Sequence, residues 1–392
     1  MFFSKIPSPS NATTHGSSPE KRFAAVRHAR HRLLSEGPQA GLTGIEPWIA
    51  SSWQRCLSSG LRPEQHIVFA PNPKQGQHRL VEAHHELLIA ASPSMHSLGG
   101  LVAGIGYFAL LTNQDGVVID VAGKVDRSDQ AAASIAQVGV DLSEGSAGTS
   151  AICTALSEKH PVWLHQTEHY FEDTSVYSCA GAPIMSPQGQ CLGMLDLTGI
   201  RVREQRQLVH LVAQYAHEIE RAILLGQGRK LLLRLSWPGT SGFGSLQETG
   251  LLSLDDTGRV LGADQVAKRM VPELDQHFEA SALVKEPLHI SGIFATQWQG
   301  LFDLAQREQN QSEIPMWAGL SLHVEAISAQ SPSRPTRERA HLASGRNGSS
   351  LKEVQSVLIH QAMHEARGNV ETAAKRLGIS RATLYRKLHS RH

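Results

Sequence analysis

The sequence YSCAGAPIMSPQGQCLGMLDLT, residues 177–198, decides the fold of the larger part of the chain. Both of its halves are rich in apolar and small residues, and the tripeptide PQG at 187–189 favours a turn between them. We therefore predict two strands, 177–185 and 190–198, joined as a hairpin.

The residues N-terminal to this hairpin repeat the same pattern. A strand at 107–111, a turn at 113–116 and a strand at 117–121 predict another hairpin. Antiparallel pairs with helices at either end indicate an α+β unit. The other elements predicted for it are a short helix at 149–156, a strand at 161–165 and a closing helix at about 203–225. Helices are also predicted ahead of it, at 21–36, 45–60 and near 78–91.

A chain of 392 residues is longer than one ordinary domain, and its composition marks the boundaries. Gly and Ser cluster at 237–245, and Pro, Ser and Arg at 328–350, as is typical of linkers. Strands predicted near 250–262, at 287–294 and at 316–328 indicate a second, smaller α+β unit. The predicted organisation is a disordered or basic segment (1–40), a helical lead-in with a sensor-like unit (41–225), a linker (226–246), the second unit (247–328), a flexible linker (329–350) and an all-α C-terminal unit (351–392).

The C-terminal unit has the pattern of a helix-turn-helix. In GNVETAAKRLGISRATLYRKL (368–388), apolar residues lie at helical spacing, Gly378 suits the turn, and Ser380 is a good N-cap for the last helix. Residues 351–392 carry eight Lys and Arg against three Glu. A local positive surplus favours binding to the phosphates of DNA. A helical hairpin with an ordinary solvated face is the structural alternative.

This segment closely resembles the Fis-type helix-turn-helix that ends many bacterial enhancer-binding regulators. The resemblance implies that the last helix enters the major groove of double-stranded DNA. Arg381 is then the best candidate for reading a guanine, whereas Arg386 and Lys387 are better placed for phosphates. The DNA-contacting residues implied are Ser380, Arg381, Thr383, Tyr385, Arg386 and Lys387.

Residues 45–60 and 98–200 resemble the N-terminal half of the acetoin-catabolism regulator family, whose sensor is a GAF domain. The sequence departs from that family at Ser150, where relatives carry Asn, and at Cys153, where they carry Gly. Residues 250–270 resemble the PAS-like unit that often follows. The blocks that carry the GAF resemblance are SSWQRC (51–56), LLTNQDGVVID (110–120), LSEGSAGTSAICTAL (142–156), EHYF (168–171) and SCAGAPIMSPQGQCLGMLDLTG (178–199).

Three polar residues of the sensor are candidates for binding a small effector. Glu168 and His169 are candidates for lining a cavity between the 107–121 and 178–198 hairpins, and a structural Glu–His pair is the alternative. Asp196 lies inside an apolar strand, where a carboxylate needs a partner, and a structural role is the alternative. Ser143, Glu144 and Thr149 are expected to cap the helix that follows them.

Several kinds of site are not expected. The sequence contains no G-x-x-x-x-G-K-[S/T] loop, and residues 226–350 are too few for the ATPase that full-length relatives carry there. The four cysteines form no C-x-x-C pair and no close pairing with His, so no metal and no cofactor are expected. With no apolar run near the length of a membrane span and no secretory signal, we expect a cytoplasmic protein without a membrane partner.

The sequence thus predicts a homodimeric, non-enzymatic DNA-binding regulator that senses a small metabolite and acts without ATP hydrolysis. RNA polymerase and a sigma-54 regulator are its further candidate partners. One alternative is a thiol enzyme of the GAF-fold methionine sulfoxide reductase kind, using Cys153, Cys179 and Cys191. The other alternative is an adaptor that binds no ligand and heterodimerises with sigma-54 regulators.

Overall fold

The computed structural model describes residues 19–70, 74–239, 249–279 and 287–328. Within these ranges the chain forms two five-stranded antiparallel sheets with helices packed on them. The helices are α1 (Pro19–Glu36), α2 (Pro47–Ser58), α3 (Lys74–Ala83), α4 (His85–Val102), α5 (Gln130–Ile135), α6 (Glu144–Ala147), α7 (Ala151–Glu158), α8 (Leu208–Gly226), α9 (Gln265–Met270), α10 (Pro272–Glu279) and α11 (Gln299–Leu304). The strands are β1 (Tyr107–Asn113), β2 (Val118–Ala122), β3 (Val162–His165), β4 (Tyr177–Met185), β5 (Cys191–Ile200), β6 (Leu231–Ser236), β7 (Gly250–Leu254), β8 (Val260–Ala263), β9 (Gln311–Pro315) and β10 (Ser321–Ser328).

The first sheet has the strand order β2-β1-β5-β4-β3. Strand β5 lies at its centre and pairs with β1 on one side and β4 on the other. The two predicted hairpins, β1–β2 and β4–β5, are confirmed, and Gly189 takes the left-handed φ of 84° that the turn between β4 and β5 requires.

Helices cover both faces of this sheet, as the α+β prediction requires. One face, which we call the α7 face, packs Phe108, Leu110 and Met194 against residues of α5 and α7. The other, which we call the α8 face, packs Leu195 and Leu197 against α4 and α8. Successive residues of a strand point to opposite faces, so each strand contributes to both cores.

The N-terminal helices differ from expectation in two ways. Helix α1, which the sequence assigned to a separate segment over 1–40, packs on the sensor because Val26, Ala29 and Leu33 form a buried stripe. The single helix predicted near 78–91 is instead α3 and the longer α4.

The expectation that no apolar stretch reaches the length of a membrane span is also wrong. Residues His85–Ile105 are long and apolar enough by length and composition alone, with a mean hydropathy of 1.3. In the structure, Leu87, Ala91, Met95 and Leu98 of this segment are buried against the sheet. The helix is therefore apolar partly because it belongs to the core.

The second sheet has the order β8-β7-β6-β10-β9, so β6 is its central strand. This corrects the predicted linker over 226–246, which contains β6. The sequence of β6, LLLRLS, is buried at every position. Such a strand lacks the alternation of apolar and polar residues that a half-exposed strand shows, so it is hard to recognise from the sequence. The second unit therefore begins before residue 247.

Its remaining elements match the prediction in part. The predicted strand 287–294 is wrong, because Ile290–Gly292 forms a 3-10 turn that His289 caps through its side chain. The strand predicted over 316–328 is confirmed from Ser321 onward.

The tip of the β4–β5 hairpin joins the two sheets. The Ala263 amide of the edge strand β8 donates to the Pro187 carbonyl at 3.1 Å, and the Gln188 side chain donates to the Leu261 carbonyl at 2.7 Å. Nearby, Arg221 of α8 donates to the Thr249 carbonyl at 3.1 Å. The sensor is thus hydrogen-bonded to the second sheet through the same hairpin that forms its own centre.

The central position of β6 predicts which leucines stabilise the second unit. Leu233→Ala should lower the free energy of unfolding by about 2–5 kcal/mol, because Leu233 is fully buried between β7 and β10. Leu320→Ala is the control, since this leucine is 56% exposed, and it should change stability by less than about 0.5 kcal/mol. Urea unfolding followed by circular dichroism measures both, and equal small losses would contradict the assignment of β6 to the core.

Candidate effector site

The six residues expected to contact DNA lie outside the described residues, as does the whole segment 351–392. They are Ser380, Arg381, Thr383, Tyr385, Arg386 and Lys387. The three candidate effector residues all lie within the described part of the chain, and the structure fixes their surroundings.

Asp196 is completely buried on the α7 face of the first sheet, opposite Leu110 of β1 and Gly181 of β4. Its Oδ2 accepts a hydrogen bond from the Thr198 hydroxyl. Its Oδ1 has no partner among the described residues. A buried carboxylate oxygen without a partner is costly, so this atom is suited to bind a polar ligand or an ordered water.

Burial also changes the protonation of Asp196. Desolvation raises the pKa of its carboxyl to about 7, although the hydrogen bond from Thr198 opposes the shift. Near neutral pH this side chain therefore exists in both forms and can donate or accept a hydrogen bond.

Thr112 lies diagonally from Asp196 on the same face. It pairs with Met194, two residues from Asp196 along β5, and its hydroxyl has no partner among the described residues. Diagonal neighbours on antiparallel strands lie roughly 7–8 Å apart. The two orphaned oxygens are therefore close enough for one small molecule to reach both.

His169 is also buried, with its ring packed edge-on to Tyr177. Its Nδ1 lies 3.0 Å from the Gln166 carbonyl, which can only accept, so Nδ1 carries the proton. Burial lowers the pKa of the imidazole to about 4. The ring is then neutral at pH 7, and its Nε2, which has no partner among the described residues, is an unprotonated acceptor.

Glu168 is occupied by structural contacts. Arg22 of α1 donates to it from Nε at 2.8 Å, and the His165 amide donates to its other oxygen at 2.8 Å. Arg30, also on α1, donates to the Tyr170 and His169 carbonyls. Glu168 therefore anchors α1 to the sensor. Its contacts fit a structural role better than a role in binding a ligand.

The three candidate effector residues do not form one cluster in the structure. Asp196 is opposite Gly181, whereas His169 packs on Tyr177, which is four residues away on β4 and therefore about 13 Å along the strand. The cavity predicted between the two hairpins is wrong as placed, because β1 and β5 are hydrogen-bonded neighbours with no gap between them. Because the Asp196 side chain lies on the α7 face, a molecule that contacts it must lie on that face.

Residues outside the predicted set complete this region. Ser52 of α2 hydrogen-bonds to both Glu144 and Thr149, and Arg55 donates to Glu144 at 2.9 Å. These side chains tie α2 to α6 and to the loop between α6 and α7. The prediction that Ser143, Glu144 and Thr149 cap that helix is wrong, since the Ser150 hydroxyl accepts from the Cys153 amide instead.

The cysteines lie in environments that disfavour the thiolate: Cys153 and Cys179 are buried and Cys191 is half-buried. Desolvation raises the pKa of Cys153, Cys179 and Cys191 above the ordinary value. The thiolate is the nucleophile in cysteine chemistry, so these surroundings do not activate it. Within the described ranges, no group of three or more His, Cys, Asp or Glu could hold a metal ion.

Two family models match the chain. Residues 24–220 match the model described as MimR, N-terminal domain, and residues 350–389 match the model described as bacterial regulatory protein, Fis family. The first match spans the first sheet with α2 to α7 and most of α1 and α8.

Known transcriptional regulators are also similar to this chain. The acetoin catabolism regulatory protein of Cupriavidus necator is 32% identical over 232 residues, which cover 57% of this chain and 34% of that protein. The acetoin dehydrogenase operon transcriptional activator of Bacillus subtilis is 27% identical over 192 residues, covering 48% of this chain and 31% of that protein. The chain thus aligns with only about a third of the length of these relatives.

Among solved structures, the Escherichia coli DhaR(N)–DhaL complex contains a similar chain. The TM-score is 0.44 at 13% identity, with 71% of this chain and 98% of that chain covered. The free methionine-R-sulfoxide reductase of Neisseria meningitidis has a TM-score of 0.25 at 14% identity, with 41% and 95% covered.

The buried carboxyl predicts a pH-dependent effect of Asp196→Asn. The folded pKa of Asp196 is raised to about 7, above that of an unfolded aspartate, so this group destabilises the fold as pH rises from about 4 to about 7. The stability of Asp196→Asn relative to wild type should therefore increase by a few kcal/mol over that range and then level off.

Urea unfolding at a series of pH values measures this difference. Asp126→Asn is the control, because the Ser128 hydroxyl lowers the pKa of this exposed carboxyl, so the group stays ionised from about pH 4 to about 7 and the stability difference from wild type should stay constant over that range. A difference between Asp196→Asn and wild type that does not vary with pH would show that Asp196 titrates normally.

Proposed function

Because the chain belongs to the family defined by the MimR N-terminal domain, we propose that it is a DNA-binding transcriptional regulator whose GAF-like domain senses a small metabolite. The observation that carries this proposal is the match of residues 350–389 to the Fis-family model, in the same chain as the sensor. The regulators of Cupriavidus necator and Bacillus subtilis described above support it.

DNA recognition in this proposal belongs to residues 351–392. Arg381, near the start of the last helix of the motif, reads a base edge, most simply a guanine through its planar guanidinium. Arg386 and Lys387 neutralise phosphates, and Ser380, Thr383 and Tyr385 complete the contact. A single motif of this kind reads few base pairs, so the regulator acts as a homodimer on paired half-sites.

The effector in this proposal binds on the α7 face, at Asp196. The support is that Oδ1 of Asp196 and the neighbouring hydroxyl of Thr112 have no partner among the described residues, within a mostly apolar layer. This pair suits a small uncharged molecule that carries hydroxyl or carbonyl groups. His169 provides a further acceptor at Nε2, whereas Glu168 serves the packing of α1.

Regulation in this proposal needs no ATP hydrolysis, since the sequence has no phosphate-binding loop of the Walker type. The protein then acts in the cytoplasm by occupying its operator, by contacting RNA polymerase, or by pairing with an ATPase-bearing sigma-54 regulator. The second sheet unit is PAS-like in this proposal. It contacts the sensor through the hydrogen bonds of Pro187 and Gln188.

The proposal predicts different effects for two cations of the recognition segment. Arg381→Ala should cost about 1–3 kcal/mol of binding to the selected operator and relax the preference at one base pair of each half-site. Lys387→Ala should weaken binding to all sequences and reduce the dependence of the affinity on salt.

Selection of DNA from a random library, followed by titration of both variants at several salt concentrations, measures these effects. Arg229→Ala is the matched control, because this arginine lies between α8 and β6 and donates to the Leu225 carbonyl, and it should leave the DNA affinity unchanged. The assigned roles would be rejected if wild-type protein selected no sequence from the library. They would also be rejected if both variants lost the same affinity for every sequence.

A further inference from the structure

Four successive backbone carbonyls, those of residues 167–170, accept hydrogen bonds from side chains of α1 and α2. The first, third and fourth accept from the Arg30 guanidinium of α1, at 3.1, 2.6 and 2.8 Å. The second accepts from the indole N–H of Trp53, on α2, at 2.9 Å. The guanidinium also lies over the indole ring, 4.8 Å from its centroid. The position of segment 167–170 is therefore set by two helices that lie more than a hundred residues before it in the chain.

The segment from α6 to the start of α7, residues 144–150, is held from the same side. Side chains of α2 hydrogen-bond to Glu144 and Thr149. The Thr149 carbonyl accepts from the Tyr170 amide at 3.4 Å. Gly148 is so close to the next aromatic pair that a Cβ there would lie 2.9–3.0 Å from side-chain atoms of Tyr170 and Phe171. The two segments thus pack on each other, and α1 and α2 hold both.

These segments lie at the edge of the layer that covers Asp196. Trp48 of α2 packs against the core of α1 and α2 and also against the core of the α7 face. Ala151, the first residue of α7, has its carbonyl 3.3 Å from where a Cβ of Gly181 would lie, and Gly181 pairs with Asp196. Because Asp196 is completely buried, a molecule reaches it only if part of this layer moves.

Helix α1 is the part of the layer with the smallest apolar contact. It has 18 residues, of which only Val26, Ala29 and Leu33 are buried. Helix α4 has the same length and buries seven residues in the sensor core. Segments with few buried apolar contacts open at the lowest cost in free energy. Polar contacts, above all those of Arg30, therefore decide how often α1 leaves the sensor.

We propose that Arg30 is a positioning residue for segment 167–170, and that α1 thereby keeps the α7 face closed to small molecules until the helix is released. This inference deepens the proposed function, on which it rests for the α7 face as the effector site. The backbone agrees with a segment held in place from outside. Gln166, which precedes the segment, has a left-handed φ of 49°, a conformation that is unfavourable for a residue other than glycine. Release of α1 removes the contacts that maintain it.

Cys153 is a natural probe of this closure. Its thiol is buried and donates to the Gly148 carbonyl at 3.2 Å, within the segment that α2 holds. A closed, protonated thiol does not react, so its rate of modification measures how often the segment opens. The reagent is methyl methanethiosulfonate, which is of the size proposed for the effector, and mass spectrometry of the full-length protein locates the label.

Arg30→Ala should label Cys153 about 10-fold faster than wild type or more, because the loss of three hydrogen bonds from a charged donor raises the population of the open state. Arg27→Ala is the matched control, since Arg27 is an exposed arginine of the same helix, and it should label Cys153 at the wild-type rate. Cys191, half-buried at the start of β5, is the internal control. Its rate should be the same in all three proteins, whereas a general loss of stability would raise the rates of both thiols.

Hydrogen exchange of wild type keeps the proposal falsifiable if Arg30→Ala does not fold. The amides of α1 and of residues 144–150 and 167–170 should exchange together, at urea concentrations that leave β5 protected. Exchange of the two segments independently of α1 would overturn the proposal. So would a wild-type rate for Cys153 in Arg30→Ala, or an equal increase at Cys191. These measurements need neither DNA nor effector, so a protein that binds no operator would reject the proposed function and leave this inference standing.

Discussion

The hydrogen bonding of β5 to a strand on each side is the constraint on which the sensor depends. Strand β5 pairs with β1 from Tyr107 to Asn113 and with β4 from Tyr177 to Met185, so it has no free edge. Its backbone groups are satisfied within the sheet, and its side chains must point into one core or the other. Asp196 therefore cannot reach solvent, and its carboxyl must find partners inside the α7 face or remain partly unpaired.

The same hairpin offers a route from the α7 face to the rest of the chain. Strands β4 and β5 run from the region of Asp196 to the tip, where Pro187 and Gln188 are hydrogen-bonded to β8. A ligand shifts an equilibrium only if it binds one arrangement better than the other. The hydrogen bonds at the hairpin tip join a buried polar site to a second sheet, and they can couple ligand binding to the arrangement of that sheet. Helix α8 provides a parallel connection, because its Arg221 donates to the Thr249 carbonyl.

Much of the fold follows from local patterns in the sequence. The β1–β2 and β4–β5 hairpins were predictable because turn residues separate apolar runs of strand length. Strand β6 was not, because a strand buried at every position shows no alternation, and the Gly- and Ser-rich segment that follows suggested a linker. The helical caps near α7 were misassigned by a few residues, which is the usual uncertainty of a boundary.

The candidate site was predictable only in part. Asp196 was recognisable as a carboxylate within an apolar strand. The role of Glu168 was not, because its partner Arg22 is 146 residues away and only the folded chain brings them together. The orphaned hydroxyl of Thr112 was missed because a threonine in a strand carries no signal of its own. The basic pattern of α1 was visible in the sequence, and two of its four arginines, Arg22 and Arg30, were the available clue to the packing of that helix.

We propose that an effector bound at Asp196 changes how this chain binds DNA. The most direct measurement is the operator affinity of full-length wild type, Asp196→Asn and Asp120→Asn during titration with small alcohols, ketones and acids. Asp120 is a suitable control because it pairs with Leu111, whose side chain is on the α8 face of the same sheet. We expect one such compound to change the affinity of wild type and of Asp120→Asn by about 5–150-fold and to leave the affinity of Asp196→Asn unchanged. A response of Asp196→Asn equal to that of wild type would contradict it.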